Sequence, residues 1–261
     1  MDTQPALLQG LQCPAQALVT GASRGIGLAL ATALLQRSDV ACVHAVARHA
    51  EVAPGLAALA TRHGTRLQRH AIDITDDDHL ATLAGRVRGH GAALHLVINA
   101  AGVLHDDGLR PEKSLAAVTR AALERSFALN AFSPILLAQA LHPLLPRAQP
   151  ATFASLSARV GSIGDNRSGG WYAYRAAKAA QNQLLHTWAI ELRRTHPRAT
   201  CLLLHPGTVD TALSAPFQAG LPPGRLFAPD AAAAALLAVI AARTPADSGG
   251  FFAWDGTPIA W

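Results

Sequence analysis

The sequence predicts a single α/β domain over residues 1–261: an open, doubly wound parallel sheet in three layers, with helices on both faces. Three observations lead there. Short apolar runs alternate with longer helical stretches along the whole chain, which is the pattern of repeated β-α-β units. The chain has 261 residues, half of them hydrophobic, enough to bury a core without a metal or disulfide staple. No linker rich in Gly, Ser or Pro divides it, and no segment repeats at a fixed period.

A short lead, residues 1–15, precedes the first predicted strand, Gln16–Thr20. That strand runs into Thr20-Gly21-Ala22-Ser23-Arg24-Gly25-Ile26-Gly27, and helical spacing follows over Gly25–Gln36. Glycines between a strand and a helix allow a tight turn, close approach of a pyrophosphate to the backbone, and close packing of helix on sheet. The free N–H groups at the helix start then face the phosphate charge. The spacing is G-x-x-x-G-x-G rather than G-x-G-x-x-G.

The second strand, Ala41–Ala47, leads to a helix over Ala53–His63. A site preferring NAD presents an acid here to the ribose hydroxyls, but this chain has Arg48 and His49 and no acid before Glu51. Arg48, with Arg24 from the glycine turn, suits a 2′-phosphate, so NADP(H) is the expected cofactor. The third strand, Leu67–Ile72, ends at Asp73, placed either to accept from an adenine amino group or to cap the following helix, Asp77–Arg88.

The fourth strand, Leu94–Asn99, precedes a long apolar helix over Leu115–His142. Asn130 lies inside that helix, where a buried amide needs a partner. A bend holding a water near Lys178, or a hydrogen bond between helices, would supply one. The fifth strand, Ala151–Leu156, ends in Ser155-Leu156-Ser157. It is followed by a helix over Ala173–Thr195 that carries Tyr174 and Lys178 four residues apart on one face. Carbonyl reduction leaves an alkoxide that needs a proton. An ammonium beside a phenol lowers the phenol's pKa toward working range, which makes Tyr174 a candidate acid. The chain has only two tyrosines, and the other, Tyr172, has Ala176 in place of a lysine. The sixth strand, Thr200–His205, opens a flap over residues 206–228, longer than an ordinary loop and placed to cover a binding site. A helix over Pro229–Ala242 and a strand over Phe251–Trp254 close the chain.

Taken together, these pieces resemble the short-chain dehydrogenase/reductase family over essentially the full length. They occur in the family's order: Thr20–Gly27, Asp73, Asn99-Ala100-Ala101-Gly102, Asn130, Ser157, Tyr174 with Lys178, and His205-Pro206-Gly207-Thr208. The stretches from Ser157 to Arg175, from Pro206 to Thr211 and from Asp255 to Trp261 are similar to the C-factor-like, carbonyl-reductase-like subgroup. The resemblance implies a Rossmann-like fold, NADP(H), and reduction of a carbonyl. It implies Asn130, Ser157, Tyr174 and Lys178 as a catalytic tetrad, with Ser155 and Ser162 as alternatives to Ser157. The cofactor site it implies comprises Gly21, Ser23, Arg24, Gly25, Ile26, Gly27, Arg48, Asp73, Ile74, Asn99, Ala100, Ala101, Gly102, Tyr174 and Lys178. Pro206, Gly207, Thr208, Val209 and Thr211 complete it on the nicotinamide side. Two positions depart from the family pattern. The second asparagine of N-N-A-G is Ala100, and the serine stands four residues before Gly161 where many relatives place it three before, at Ala158.

The remaining features narrow the class. The net charge of +5 is carried by scattered arginines such as Arg62, Arg86, Arg120 and Arg193, not by one basic element, which argues against nucleic acid. Twelve histidines form no H-x-x-x-H and pair with no cysteine at ligand spacing, so no metal is expected. Cys13, Cys42 and Cys201 read as buried hydrophobes. No apolar run reaches about 18 residues without charge or proline, and no leader is apparent, so a cytoplasmic protein without a membrane span is expected. The two long helices suit a homodimer or tetramer, and a monomer is the alternative. The pocket is expected to be lined by Trp171, Leu213, Phe217 and Leu221, and the partner to be a small-molecule carbonyl compound. Two other classes fit the fold: a regulator that senses NADP(H) without turnover, and a signalling scaffold. The intact Tyr174/Lys178 pair favours the enzyme.

Overall fold

The computed structural model describes residues 5–91, 93–220, 222 and 224–261. Its strands are β1 (Ala15–Thr20), β2 (Val40–Ala47), β3 (Leu67–Ala71), β4 (Leu96–Asn99), β5 (Ala151–Leu156), β6 (Ala199–His205) and β9 (Phe251–Ala253), with β7 (Thr208–Val209) and β8 (Leu226–Phe227) in the flap. The seven main strands lie in the order β3-β2-β1-β4-β5-β6-β9, all parallel. The order reverses direction between β1 and β4, so the crevice beyond their carboxyl ends is where such a sheet binds ligands.

The strands read as continuous apolar runs because both faces are covered. Side chains alternate between two cores: Val19, Leu202 and Leu204 pack toward the α1 and α7 side, while Leu18, Cys201 and Leu203 pack toward the α3 to α6 side. Helices α1 (Gly25–Leu35), α2 (Pro54–His63) and α7 (Pro229–Ala242) cover the first face, and α3 (Asp77–His90), α4 (Arg120–Phe127), α5 (Ser133–Leu141) and α6 (Tyr172–Thr195) the second. Truncating a core leucine such as Leu203 to alanine would cost roughly 2–5 kcal/mol.

The predicted helix Leu115–His142 is instead divided. Leu115–Ala117 is a single tight turn, and α4 starts at Arg120 because Thr119 caps it, its hydroxyl accepting from Ala122 N at 3.1 Å. A π turn over Ala128–Phe132 then separates α4 from α5. The whole segment Arg120–Leu144 is long and apolar enough to span a membrane by composition. Here it is a packed helix, in contact with α3 and α6. The flap also carries more structure than a loop: β7 and β8 pair in parallel, Thr208 with Leu226 and Val209 with Phe227, drawing its two ends together. Of the cysteines, Cys201 is buried, but Cys13 is exposed, on the turn before β1.

Candidate active site

The glycine turn is shaped by missing side chains. Gly21 and Gly25 have φ of 67° and 55°, the left-handed region that L side chains avoid. A Cβ on Gly27 would lie 2.2 Å from the Gly21 carbonyl oxygen, and one on Gly21 would lie 3.0 Å from the backbone of Ala100. Gly25 faces Thr211 across the cleft, where a Cβ would come within 3.1 Å of its methyl group. The turn, the end of β4 and the start of the flap therefore form one narrow cradle. The first turn of α1 has no side-chain cap and no acidic residue, which leaves its N–H groups open to a phosphate. These residues fit a dinucleotide.

In the glycine turn and just beyond β2, Arg24 and Arg48 are both exposed. Glu51, the first acid after β2, pairs with Arg69 at 3.4 Å. Asp73 does not cap α3; Asp76 does, accepting from His79 N. Asp73 instead accepts from the Thr75 backbone and hydroxyl at 3.0 and 2.7 Å. Burial pushes its carboxyl up, but those hydrogen bonds and the Arg48 charge outweigh that and hold it below the usual range. The buried Ile74 follows it.

Asn99 joins three strands. Its Oδ1 accepts from Thr20 Oγ1 at 2.6 Å, and its Nδ2 donates to Ser155 Oγ at 2.9 Å. Ser155 also accepts from Gln181 Nε2 at 2.8 Å. This buried chain ties β1, β4, β5 and α6 together where the second asparagine of the family motif is absent, and it spends the Ser155 hydroxyl on structure. Ser162 is likewise engaged, accepting from Asp165 N at 3.1 Å. Ser157 Oγ, 4% exposed, donates to Asn182 Oδ1 at 2.7 Å.

Asn130 sits in the π turn, fully buried, and grips the loop after Gly102. Its Oδ1 accepts from Val103 N at 3.0 Å, and its Nδ2 donates to Val103 O at 2.8 Å and to Ser126 Oγ at 3.2 Å. The π turn is the bend that lets an amide inside an apolar helix reach a loop. Gly102 is where Asn130 and Lys178 converge: a Cβ there would lie 3.1 Å from Asn130 Oδ1 and 3.9 Å from Lys178 Nζ.

Lys178 Nζ lies 5.9 Å from the centre of the Tyr174 ring. It donates to Leu156 O and to Gln181 Oε1, each at 2.8 Å. Burial lowers the Lys178 ammonium to about 7. Burial also pushes the Tyr174 hydroxyl above its ordinary value, opposite to the lowering expected from the neighbouring ammonium. Desolvation of the phenolate is the larger effect at this separation in the chain without ligand.

Sequence reasoning passed over Gln181, Asn182 and Glu112, whereas it named Trp171 and Phe217 as pocket lining. Gln181 and Asn182 lie three and four positions beyond Lys178 on the buried face of α6, a spacing that would have marked them. Glu112 sets the start of α6, its carbonyl accepting from Trp171 N and its Oε2 from Ala173 N at 3.2 Å. Trp171 is the one non-glycine among the described residues with positive φ, 53°. It aims its ring at Phe217 of the flap, 4.8 Å away, and at Tyr174, 6.4 Å away. His105 Nε2 lies 3.1 Å from both Ala212 O and Leu213 O, joining the loop after β4 to the flap. Trp171 thus bridges Phe217 of the flap and Tyr174; Leu221 lies outside the described residues.

Comparison with known proteins agrees with this geometry. The family model for short chain dehydrogenases matches residues 15–221. A 1-hydroxy-2-glutathionyl-2-methyl-3-butene dehydrogenase from Rhodococcus is 31% identical, covering 94% of this chain and 98% of that one. The C-signal protein of Myxococcus xanthus is 36% identical over 57% of this chain and 84% of its own length. The NADPH-bound carbonyl reductase from chicken fatty liver superposes with a TM-score of 0.83 at 29% identity, covering 96% of this chain and all of that one. A parallel sheet of this topology, matched by the family model over most of its length, places the chain in the short-chain dehydrogenase family of oxidoreductases that use a nicotinamide cofactor.

Proposed function

We propose that the protein is an NADP(H)-dependent carbonyl reductase in which Tyr174 gives the substrate oxygen its proton. The observation that carries this reading is the convergence at Gly102: Lys178 and Asn130 flank one side of the glycine cradle, and Tyr174 stands on the same face of α6 under Trp171. The cofactor, when bound, supplies or takes up the hydride. Tyr174 protonates the oxygen left by that transfer, and Leu156 O and Gln181 Oε1 hold the Lys178 amino group beside the phenol, where its charged form steadies the phenolate. Ser157 steadies the substrate oxygen by turning its hydroxyl from Asn182. Asn130 holds the Val103 backbone, so that the loop lining the site keeps its place. Trp171 and Phe217 exclude water from above.

NADP(H) over NAD(H) is supported by the exposed Arg24 and Arg48 and by the engagement of Glu51 with Arg69, which leaves no acid to meet the ribose. The chicken reductase bound to NADPH points the same way. Self-association would rest on the outer faces of α5 and α6, where Phe132 just before α5 and Ile190 on α6 are exposed.

The test is oxidation of NADPH by the purified protein against aromatic and aliphatic carbonyls, with NADH and two variants as controls. Tyr174→Phe is expected to lower kcat roughly 10²–10⁴-fold while keeping cofactor affinity. Arg48→Ala is expected to raise the KM for NADPH roughly 10-fold or more, and that for NADH little. Turnover undiminished in Tyr174→Phe would overturn the assignment of the acid, and equal use of both cofactors would overturn NADP(H).

A further inference from the structure

A second cavity opens at the far end of the cleft, between the loop after β5, the end of β6, the flap and the residue after β9. It measures about 290 Å³, and its lining includes Arg159, His205, Thr208, Arg225, Phe227 and Trp254. It adjoins the site above on two sides. Arg159 stands two residues beyond Ser157, and Thr208 opens the flap beside Gly207, against which the Phe227 ring packs so closely that a Cβ would lie 2.6 Å away.

We infer that this cavity is a carboxylate-binding subsite, and that the preferred carbonyl substrate carries an organic acid group at a fixed distance from the carbon reduced. The inference rests on the reductase reading above for the word substrate, but not for the binding of the acid.

Charge and shape select the ligand. Two arginines line one cavity, and a guanidinium fork matches a carboxylate geometrically. Arg159 is partly neutralised by Asp165 at 3.2 Å, and Asp255 is tied by the Thr257 backbone and hydroxyl. Arg225, exposed on the flap, pairs with no carboxylate among the described residues. His205 contributes no cation near neutral pH: burial, and then the Arg159 charge, lower it to about 4 against the opposing pull of Asp255. The cationic character of the cavity therefore comes from the arginines. The lining also has an aromatic part, Phe227 and Trp254 lying 4.6 Å apart and tilted by 57°. An apolar chain or ring ending in a carboxylate satisfies both parts. A neutral ligand would form no ion pair with Arg225, and a small inorganic anion would leave the aromatic residues uncovered.

The inference is tested with a homologous series of methyl-ketone carboxylic acids and their methyl esters, assayed for NADPH-dependent reduction. At one chain length the acid is expected to have a KM about tenfold or more below that of its ester. Arg225→Gln, which lies outside the catalytic and cofactor residues, is expected to erase that difference without changing kcat, the KM of the ester or the KM of NADPH. Equal KM values for acid and ester at every length, or an equal effect of Arg225→Gln on both, would overturn it. Calorimetric titration with octanoate separates this inference from the reductase reading. Octanoate binding that is lost in Arg225→Gln supports the subsite even if no carbonyl is reduced. Absence of octanoate binding overturns the subsite even in an active reductase.

Discussion

Acidification is expected to destabilise this protein through one buried pair of imidazoles. His44 on β2 and His70 on β3 are 1% and 3% exposed, with His44 Nδ1 3.0 Å from His70 Nε2 and the rings stacked 5.2 Å apart. One hydrogen bond joins two nitrogens, so one ring donates and the other accepts. A proton on both would set N–H against N–H. His90 lies edge-on to both rings, and Arg86 adds positive charge near His70. Burial, followed by His70 and His90, lowers His44 to about 3. Burial, followed by Arg86 and His90, lowers His70 to about 4. The unfolded chain protonates both near 6.5. Between 6.5 and about 4 the unfolded state therefore holds more protons, and stability falls as the pH falls. The contribution is complete above 6.5 and is lost progressively as the pH drops through the folded values near 4 and 3.

Linkage puts the loss at roughly 2 kcal/mol for each histidine by pH 5, about 4 kcal/mol for the pair, against under ~0.5 kcal/mol at pH 7. That is a large share of the ~5–15 kcal/mol that holds a domain together. Urea unfolding followed by far-ultraviolet circular dichroism at pH 7, 6 and 5 reads the slope directly. The double variant His44→Leu/His70→Leu removes both titrations and is expected to flatten it by about that amount. If wild type and double variant lose the same stability over this interval, to within about 1 kcal/mol, the argument from the pair is refuted. Because β2 and β3 lead into Arg48 and Asp73, one and two residues beyond their ends, cofactor affinity is expected to weaken over the same range.

Two further outcomes follow from close contacts in the site. Gly27→Ala places a methyl 2.2 Å from the Gly21 oxygen, so it is expected to cost about 1–3 kcal/mol and to abolish cofactor binding. Gly85→Ala in α3 meets nothing within 4 Å and is the control, expected to stabilise by roughly 0.5–1 kcal/mol in thermal unfolding. Ser157→Ala is expected to lower kcat at least tenfold with the KM for NADPH unchanged. A loss confined to about 1–2 kcal/mol of stability, with kcat intact, would make the Ser157–Asn182 bond a purely structural tie.

Much of the fold was legible because its determinants are local. Alternation of apolar runs and helical spacing follows from the periods of strand and helix, and it placed the seven main strands to within a few residues. Gly21, Gly25 and Gly27 could be read as a phosphate turn because a backbone with positive φ, or one in close contact, requires glycine at those positions. Tyr174 and Lys178 could be paired because four residues make one turn of helix. A bend at Asn130 could be anticipated from its buried amide, but not the π turn over Ala128–Phe132 or the partner it serves. A π turn exists because Asn130 must reach the Val103 backbone, and that partner lies 27 residues away in the chain.

The sequence by itself determined the sheet, the glycine turn and the placing of Tyr174 and Lys178 on one face of a helix, since each depends on neighbours along the chain. Only the tertiary structure decided which serine hydroxyls are already engaged, as Ser155 is by Asn99 and Gln181 and Ser157 is by Asn182. It also decided that burial, not the adjacent ammonium, dominates the Tyr174 hydroxyl. The meeting of Arg159 and Arg225 around one cavity belongs to the same class. Burial, hydrogen-bond partners and field at a group are sums over residues distant in sequence, and they acquire values only once the strands and the flap have brought those residues together.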